Sequence, residues 1–332
     1  MEVLPTIALT LGDPAGIGPE IIVKVFQDEI LTINSRILVI GDAKTLEKVA
    51  QKIAPEIQIH SIKTPSEGCY QPYTIDVIDL NNVSETLPTA QPSAESGKAS
   101  YEAIQKAVAL VLKDEVAAIV TCPINKKSLH LAGHPFPGHT ELLGHLTNSK
   151  KPTLMIEGGS LRVVLVTTHL PLDQVKSEIS EKKVLQTIRL THDWLQKNIT
   201  EVPRIAVLGL NPHCGDGGIF GQEETEFIIP ALKVAQKEGI QASGPHPADA
   251  LFARAPSEKY DAVICMYHDQ GMIPIKMNGM GVNITLGLPI LRTSVDHGTA
   301  FDIVGQNKAS AENLKLALKT AGRLSQSSLS IK

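Results

Sequence analysis

The chain has 332 residues, 42% apolar and 20% charged, which excludes a disordered protein and leaves room for two domains of about 150 residues each. Its formal net charge of -4 excludes the strongly basic surface that long-range attraction to nucleic acid or to an anionic membrane requires. Local anion-binding sites are compatible with this charge.

The N-terminal segment and the cysteines indicate the compartment. The first residues carry no positive charge and their short apolar run ends at Gly12, so we predict neither a signal peptide nor a transmembrane helix. The four cysteines (Cys69, Cys122, Cys214 and Cys265) form no Cys-x-x-Cys pair, which argues against a disulfide framework and against a thiolate zinc site. We expect a soluble cytoplasmic protein with free thiols.

Short apolar runs alternate with segments of helical spacing along the chain. The predicted strands are Ile7–Leu11, Ile37–Ile40, Ile75–Leu80, Ala117–Val120, Leu161–Val166, Ile205–Leu210 and Ala262–Cys265. The predicted helices are Glu20–Asp28, Lys98–Lys113, Glu181–Lys197, Glu223–Lys237 and Ala311–Leu324. Continuous apolar strands that alternate with helices predict an α/β fold with parallel sheets covered on both faces.

The domain boundaries are less clearly marked. The stretch Leu87–Lys98 is rich in Pro, Ser and Ala, and predicts a loop before a long helix rather than a free linker. We therefore expect the chain to cross between domains more than once. The first domain is predicted as residues 1–128 with 296–332, and the second, with most metal and substrate residues, as 129–295.

Three histidines follow three of the predicted strands. The run LRVVLVTT precedes His169, RIAVLGLNP precedes His213, and DAVICMY precedes His268. In open α/β sheets, ligands bind beyond the carboxyl ends of the strands, and three converging imidazoles suit a catalytic Zn²⁺ or a similar ion. One such histidine alone is more often a structural loop residue, so the prediction rests on the repetition.

Residues around these histidines fit the same interpretation. The glycines that follow His213 allow the backbone to approach a ligand closely. Asp269 and Gln270, directly after His268, are candidate partners of a metal ligand or proton carriers. Asp249 is a further candidate base, and a helix N-cap is its alternative role.

Several other segments are candidates for anion binding. The run GDPAGIGPE follows the first strand and opens a helix, but it lacks the Gly-x-Gly-x-x-Gly fingerprint of a Rossmann domain and is better explained as a tight structural turn. His139 and Thr140 are polar donors in a second loop, where Thr140 is also a candidate helix cap. Downstream, Lys276, Asn283 and Arg292 are suited to a phosphate or carboxylate, although each alone is more often a solvated group.

A resemblance covers nearly the whole chain. The runs that carry it are GDPAGIGPE, PGHTE, TTHLPL, GLNPHCGDGG, MYHDQG, VNITLGLP and RTSVDHGTA. Together and in this order they resemble the 4-hydroxythreonine-4-phosphate dehydrogenase (PdxA) family. That family is similar in fold to the isocitrate and isopropylmalate dehydrogenases, which implies two α/β/α domains with a cleft between them and a homodimer that shares its active sites.

The resemblance also implies the site and the reaction. His169, His213 and His268 would bind one divalent metal, with Zn²⁺ favoured over Mg²⁺ or Co²⁺ and with one histidine supplied by the neighbouring subunit. The substrate contacts would be His139, Thr140, Lys276, Asn283 and Arg292. The family reaction oxidises 4-phosphooxy-L-threonine at its 3-hydroxyl with NAD or NADP and decarboxylates it to 3-amino-2-oxopropyl phosphate, in vitamin B6 biosynthesis.

One departure from the family pattern concerns the substrate. Between Lys276 and Asn283 the chain has only MNGMGV, about two residues fewer than many relatives carry. The family also includes enzymes for 4-phospho-D-threonate or D-erythronate and for a terephthalate-derived diol, so these substrates stay open. A metal-dependent hydrolase or lyase and a non-catalytic binding protein are the alternatives from other classes.

Overall fold

The computed structural model describes residues 4–27, 35–254 and 259–330. They form two compact units, each described here by itself. Unit 1 comprises the residues up to Lys150 together with Leu288–Ser330, and unit 2 comprises Lys151–Gly287. Unit 1 is therefore discontinuous in sequence.

The strands in chain order are β1 (Thr6–Thr10), β2 (Arg36–Gly41), β3 (Gln58–Ile62), β4 (Thr74–Asp79), β5 (Ala118–Thr121), β6 (Thr153–Gly158), β7 (Leu161–Leu165), β8 (Arg204–Leu208), β9 (Gln241–His246), β10 (Ala262–Cys265), β11 (Val282–Leu286) and β12 (Arg292–Ser294). The α-helices are α1 (Gly18–Phe26), α2 (Ala43–Ile53), α3 (Ala94–Val111), α4 (Lys126–Leu131), α5 (His139–Leu146), α6 (Leu172–Glu178), α7 (Glu181–Asn198), α8 (Ile229–Lys237), α9 (Ala248–Phe252), α10 (His268–Met277) and α11 (Glu312–Ser330).

The unit boundaries differ from those expected, because residues 129–150 and 288–295 belong to unit 1 rather than to the second domain. Leu142 and Leu143 of α5 are fully buried in the core of unit 1. Strand β12 pairs in parallel with β5 of the same unit. As a consequence, three of the predicted substrate residues lie in unit 1: His139, Thr140 and Arg292.

The sheet of unit 1 is parallel throughout, as the sequence predicts, with the order β3-β4-β2-β1-β5-β12. Its inner strands β1, β2 and β5 are mainly apolar runs that helices cover, and Leu38, Ile40, Ile104 and Ile119 are fully buried in one core cluster. Burial on both faces explains why these three strands are apolar, whereas the outermost strand β3 is largely exposed.

The sheet of unit 2 is mixed, with the order β11-β6-β7-β10-β8-β9. Strands β7, β10, β8 and β9 are parallel, whereas β6 is antiparallel to both β7 and β11. The expectation of purely parallel sheets is therefore wrong for this unit. Gly159, with φ of 59°, lies in the tight turn that joins β6 to β7 as a hairpin.

The five predicted helices correspond to helices of the structure, each with a shifted limit at one or both ends. Helix α3 begins at Ala94, inside the predicted loop, because the Ser93 hydroxyl accepts a hydrogen bond from the Ser96 amide and caps the helix. Helix α1 ends at Phe26, and the predicted end at Asp28 lies outside the described residues. None of the helices in the described ranges has the length and apolar character needed to cross a membrane.

Candidate metal centre and anion site

The three predicted metal ligands follow neighbouring parallel strands of unit 2. Strand β10 lies between β7 and β8 and is parallel to both, so their carboxyl ends lie at one edge of the sheet. His169 follows β7, His268 begins α10 directly after β10, and His213 follows β8. The tertiary structure thus places all three histidines at the sheet edge where α/β proteins bind ligands.

Two of the three imidazole rings lie close together in space within one chain. The ring centroids of His169 and His268 are 5.5 Å apart. The nitrogens of all three histidines do not come within 4.8 Å of one another; among the described residues only a cluster of other side chains meets that condition. The ligand that the resemblance assigns to a neighbouring subunit stays a prediction.

The side chains at this edge fit a metal ion. His169 and His213 are exposed, and the His268 side chain is 38% exposed, so an ion can reach all three rings. Imidazole nitrogens are common ligands of Zn²⁺ and of related transition metals.

Asp269 and Gln270 have separate roles in the structure. The Oδ1 atom of Asp269 lies 2.7 Å from Nδ1 of His268, which orients the ring and leaves Nε2 for a ligand. Gln270 accepts a hydrogen bond from the Met266 amide and donates one to the Gly209 carbonyl, at 2.7 and 2.8 Å. It thereby ties the end of β10 to the end of β8.

His213 lies in a turn of unusual backbone conformation, Pro212–Gly218. Five consecutive residues, starting with His213 at φ 52°, have left-handed dihedrals, and three of them (His213, Cys214 and Asp216) are not glycine. The left-handed conformation costs roughly 1–2 kcal/mol for each such residue. This turn therefore needs support from the surrounding structure.

Glu224 provides that support, and the sequence analysis did not identify it. Its Oε1 atom accepts hydrogen bonds from the amides of Leu210 and Asn211, at 2.8 and 2.7 Å, and its Oε2 accepts one from Nδ2 of Asn211 at 2.9 Å. A Cβ atom on Gly215 would lie 2.8 Å from Oε2 of Glu224. The turn is wound around this buried carboxylate.

Glu223 supports the same turn from the outside. It accepts a hydrogen bond from Nδ2 of Asn211 at 2.7 Å and forms an ion pair of 2.5 Å with Lys176. The hydrogen bond from Lys176 is the main reason that the pKa of Glu223 falls to about 2. A π-helical turn, Glu224–Ile228, begins at the second of these two acids, and such turns often accompany functional sites. Two adjacent acids at the start of an apolar helical pattern were the available sequence signal.

Asp249 is not a helix cap. The N-cap of α9 is Pro247, and Asp249 lies in the first turn with an exposed side chain. Burial, followed by the charges of Glu224 and Asp249, raises the pKa of the Cys214 thiol. Asp249 is therefore close enough to the His213 turn for its charge to act there.

In unit 1, Arg292 is buried and His139 is half-buried, and the charge of Arg292 acts on the His139 ring. Arg292 is 3% exposed and donates a 2.6 Å hydrogen bond to Oγ1 of Thr121. Burial lowers the pKa of Arg292 to about 9, so the guanidinium stays positive at neutral pH. Burial and, secondly, the charge of Arg292 hold the pKa of His139 well below its usual value, so its ring is uncharged. Thr140 follows in the first turn of α5, whose N-cap is Gly138.

One ring nitrogen of His139 is a candidate contact for a ligand. Within the part of the chain that the structure describes, Nε2 of His139 is buried and has no hydrogen-bond partner. A buried polar atom without a partner costs about 1–3 kcal/mol, so it indicates a ligand that completes the bond. A charged guanidinium together with an unpaired ring nitrogen, which is a donor in one of the two neutral tautomers, suits an anion such as a phosphate or a carboxylate.

The other two predicted substrate residues belong to unit 2. Lys276 is exposed near the end of α10, and Asn283 is half-buried on β11. The short loop between them exposes Met277 and Met280, whose side chains are 83% and 48% accessible. The five predicted substrate residues are thus divided between the two units.

The glycine-rich segment after β1 is the tight structural turn that the sequence predicts. Oδ1 of the buried Asp13 accepts a hydrogen bond from the Ala15 amide at 2.9 Å, and Oδ2 accepts one from Ser96 at 3.3 Å. A Cβ atom on Gly12 would lie 2.5 Å from the Pro123 carbonyl oxygen, which explains the glycine. All four cysteines are free, in agreement with the prediction.

Comparison with known proteins agrees with the geometry. The profile of a family described as pyridoxal phosphate biosynthetic protein PdxA matches residues 33–321. A 4-hydroxythreonine-4-phosphate dehydrogenase of Desulforapulum autotrophicum is 45% identical, over 96% of this chain and 94% of its own. A D-threonate 4-phosphate dehydrogenase of Cupriavidus necator is 44% identical, over 97% and 98%. The crystal structure of a 4-hydroxythreonine-4-phosphate dehydrogenase from Klebsiella pneumoniae has a TM-score of 0.93 at 41% identity and covers 98% of this chain and 99% of its own.

Proposed function

The chain belongs to the PdxA family of pyridoxal phosphate biosynthetic proteins, and on that premise we propose that it oxidises 4-phosphooxy-L-threonine at the 3-hydroxyl with NAD or NADP. The β-keto acid that forms then loses CO₂ and becomes 3-amino-2-oxopropyl phosphate, on the route to pyridoxal 5'-phosphate. The observation that carries the proposal is the row of three histidines at the carboxyl ends of adjacent parallel strands, with two rings 5.5 Å apart.

His169, His213 and His268 would hold the metal ion. The ion, when bound, supplies a Lewis acid that lowers the pKa of a substrate hydroxyl and stabilises negative charge on oxygen. Zn²⁺ is the favoured ion, with Mg²⁺ and Co²⁺ as alternatives, because the ligands are nitrogen atoms with open positions beside them. The proposal includes a homodimer in which the neighbouring subunit supplies one of the three histidines.

Asp249 is the proposed base for the hydroxyl proton. Its carboxylate is exposed and lies close to the turn that carries His213. Asp269, the other candidate, contacts Nδ1 of His268 and acts by orienting that ring. The two carboxylates would therefore do different work, one by moving a proton and the other by fixing a ligand.

The anionic groups of the substrate would be bound by the residues that are proposed as substrate contacts. Arg292 would supply a fixed positive charge, and Nε2 of His139, in the tautomer that carries its proton there, would donate to a phosphate or carboxylate oxygen. Thr140, Lys276 and Asn283 complete the proposed set of contacts. Because the guanidinium is buried, its interaction with an anion is screened less than at the surface.

A second candidate is the same chemistry on 4-phospho-D-threonate or D-erythronate. Two observations favour it. A relative that is 44% identical over nearly the whole chain is a D-threonate 4-phosphate dehydrogenase. The loop between Lys276 and Asn283 is short and exposes two methionines, and it lies between two proposed substrate contacts. The metal ligands and the proposed base would serve either substrate.

The deciding experiment measures NADH formation by the full chain with 4-phosphooxy-L-threonine, 4-phospho-D-threonate and 4-phospho-D-erythronate, each with and without a chelator. We expect chelator-sensitive NADH, with the L-threonine compound preferred. Preference for a D-substrate would support the second candidate. No NADH from any of them, with either nicotinamide and with metal bound, would contradict both and favour the hydrolase or binding-protein alternatives.

A further inference from the structure

A second cluster of metal-binding side chains lies at the edge of the unit 1 sheet. His60 on the edge strand β3 and Asp76 on β4 are partners in the parallel register. Cys69 belongs to the segment that connects these two strands. One ligand atom from each of the three side chains lies within 4.8 Å of the others, which no other such trio of the described residues achieves.

The carboxylate of Asp76 is the fixed point of this cluster. The residue is fully buried, and its two oxygens accept hydrogen bonds from the amides of Cys69 and Tyr70, at 3.1 and 2.7 Å. Oδ1 also lies 2.7 Å from Nδ1 of His60. The Cys69 Sγ atom is 3.5 and 3.8 Å from the two oxygens. The carboxylate is thus preorganised, while His60 and Cys69 reach it from the exposed side.

We propose that His60, Cys69 and Asp76 bind a divalent transition-metal ion, Zn²⁺ by the chemistry of the donors. Sulfur, nitrogen and carboxylate oxygen together suit this borderline-soft ion, and a thiolate and a carboxylate balance its two positive charges. On binding, the Cys69 thiol releases its proton to solvent and Nδ1 of His60 becomes a ligand. A water molecule would complete a tetrahedral set.

The distances fit such an ion after one movement. Zinc bonds are about 2.3 Å long to sulfur and about 2.0–2.2 Å long to oxygen or nitrogen. In a tetrahedral set these bonds place the sulfur and oxygen ligands about 3.5 Å apart and the nitrogen and oxygen ligands about 3.4 Å apart. The observed sulfur-to-oxygen distance of 3.5 Å already satisfies this. The imidazole must withdraw by several tenths of an ångström, and the His60 side chain is 46% exposed and free to turn outward.

The site would act on the sheet edge rather than on the proposed reaction. An ion there would fasten β3, the outermost strand of unit 1, to β4 and to the connecting segment. A ligand that binds only the folded state raises stability as its concentration exceeds its dissociation constant. The absence of a Cys-x-x-Cys pair does not exclude this site, since it uses one thiolate and ligands far apart in sequence.

The test is a titration of the metal-free full chain with Co²⁺ alone, followed by near-ultraviolet absorbance and by metal content. We expect a thiolate-to-cobalt charge-transfer band and one more bound ion per chain than in Cys69→Ser. Cys214→Ser is the matched control, because Cys214 is the other thiol that is not fully buried and it lies beside His213. The control should keep the band.

Two further readouts make the result decisive. His60→Gln should weaken the second Co²⁺ at least tenfold, and Zn²⁺ should raise the melting temperature of the native chain more than that of Cys69→Ser. The proposal is overturned if no band appears, if Cys69→Ser keeps it, or if only Cys214→Ser loses it. None of these readouts uses enzyme activity, so the result is independent of the proposed function.

Discussion

The two groups of candidate site residues are built in opposite ways. In unit 2 the histidines are exposed, and the backbone around them is fixed by hydrogen bonds to buried carboxylates such as Glu224. In unit 1 the functional groups themselves are buried: Arg292 is 3% exposed, and Nε2 of His139 is enclosed without a partner. One region exposes its ligands, whereas the other buries a charge.

The two groups of residues therefore carry their unfavourable free energy in different places. For the histidines the cost lies in the left-handed turn, because the imidazoles themselves stay in contact with water. For Arg292 and His139 the cost lies in desolvation, which a bound anion would offset. We therefore expect substitutions of the three histidines to affect metal binding and substitutions of Arg292 and His139 to affect substrate binding.

The largest expected effect is that of His213→Ala. Loss of one ligand of the proposed metal should lower turnover by about 10³-fold or more, because the metal supplies most of the stabilisation of negative charge. Metal content and kcat are the measurements, with circular dichroism to show an intact fold. His130→Ala, at an exposed position of α4 in unit 1, is the matched control and should leave turnover unchanged. Normal metal content and normal turnover in His213→Ala would contradict the assignment.

Asp249→Asn and Asp269→Asn should separate the base from the orienting carboxylate. We expect Asp249→Asn to lower kcat by about 10²–10⁴-fold without loss of metal. Asp269→Asn should weaken metal binding by about 10–100-fold, and excess metal should restore most of its activity. The measurements are kcat against pH and the metal dissociation constant. Reversed behaviour of the two variants would exchange their roles.

Arg292→Lys should act on the substrate alone. The lysine keeps the charge but loses the planar set of donors. A hydrogen bond to a charged group contributes about 1.5–3 kcal/mol, so its loss should lower kcat/KM by about tenfold to a hundredfold. Metal affinity should not change. Arg204→Lys, at an exposed position of β8, serves as the control. A metal defect in Arg292→Lys would show that the two regions do not work separately.

The smallest expected effect is on stability. The pKa of Glu223 in the folded chain is about 2, below the ordinary value of 4.5. Its ion pair therefore stabilises the fold fully above about pH 4.5. This contribution is lost as the pH falls from 4.5 toward 2. Glu223→Gln should reduce the free energy of unfolding at pH 7 by about 1–3 kcal/mol, since Lys176 is largely exposed and screened. Denaturant titrations should show that the difference in unfolding free energy between Glu223→Gln and the native chain becomes smaller below pH 4.5. A difference in unfolding free energy that does not depend on pH would refute the ion pair.

The order of the elements could be predicted from local patterns, and the mixed sheet could not. Runs such as Ala262–Cys265 are buried on both faces and therefore apolar throughout, which makes them visible in the sequence. Strands such as β12, with three residues, and the hairpin partner β6 carry too little pattern of their own. The pairings of β6 with β11 and of β12 with β5 are long-range, and the unit boundaries also depend on long-range contacts.

Local patterns were enough to identify the residues suited to chemistry, which are three histidines after three strands and the motifs that resemble one family. The fold was needed to show that β7, β10 and β8 are neighbours, that Glu224 supports the His213 turn, and that the charge of a buried Arg292 acts on His139. Donor type and strand periodicity are local properties, whereas adjacency, burial and the partners of a polar atom arise only when distant segments pack together.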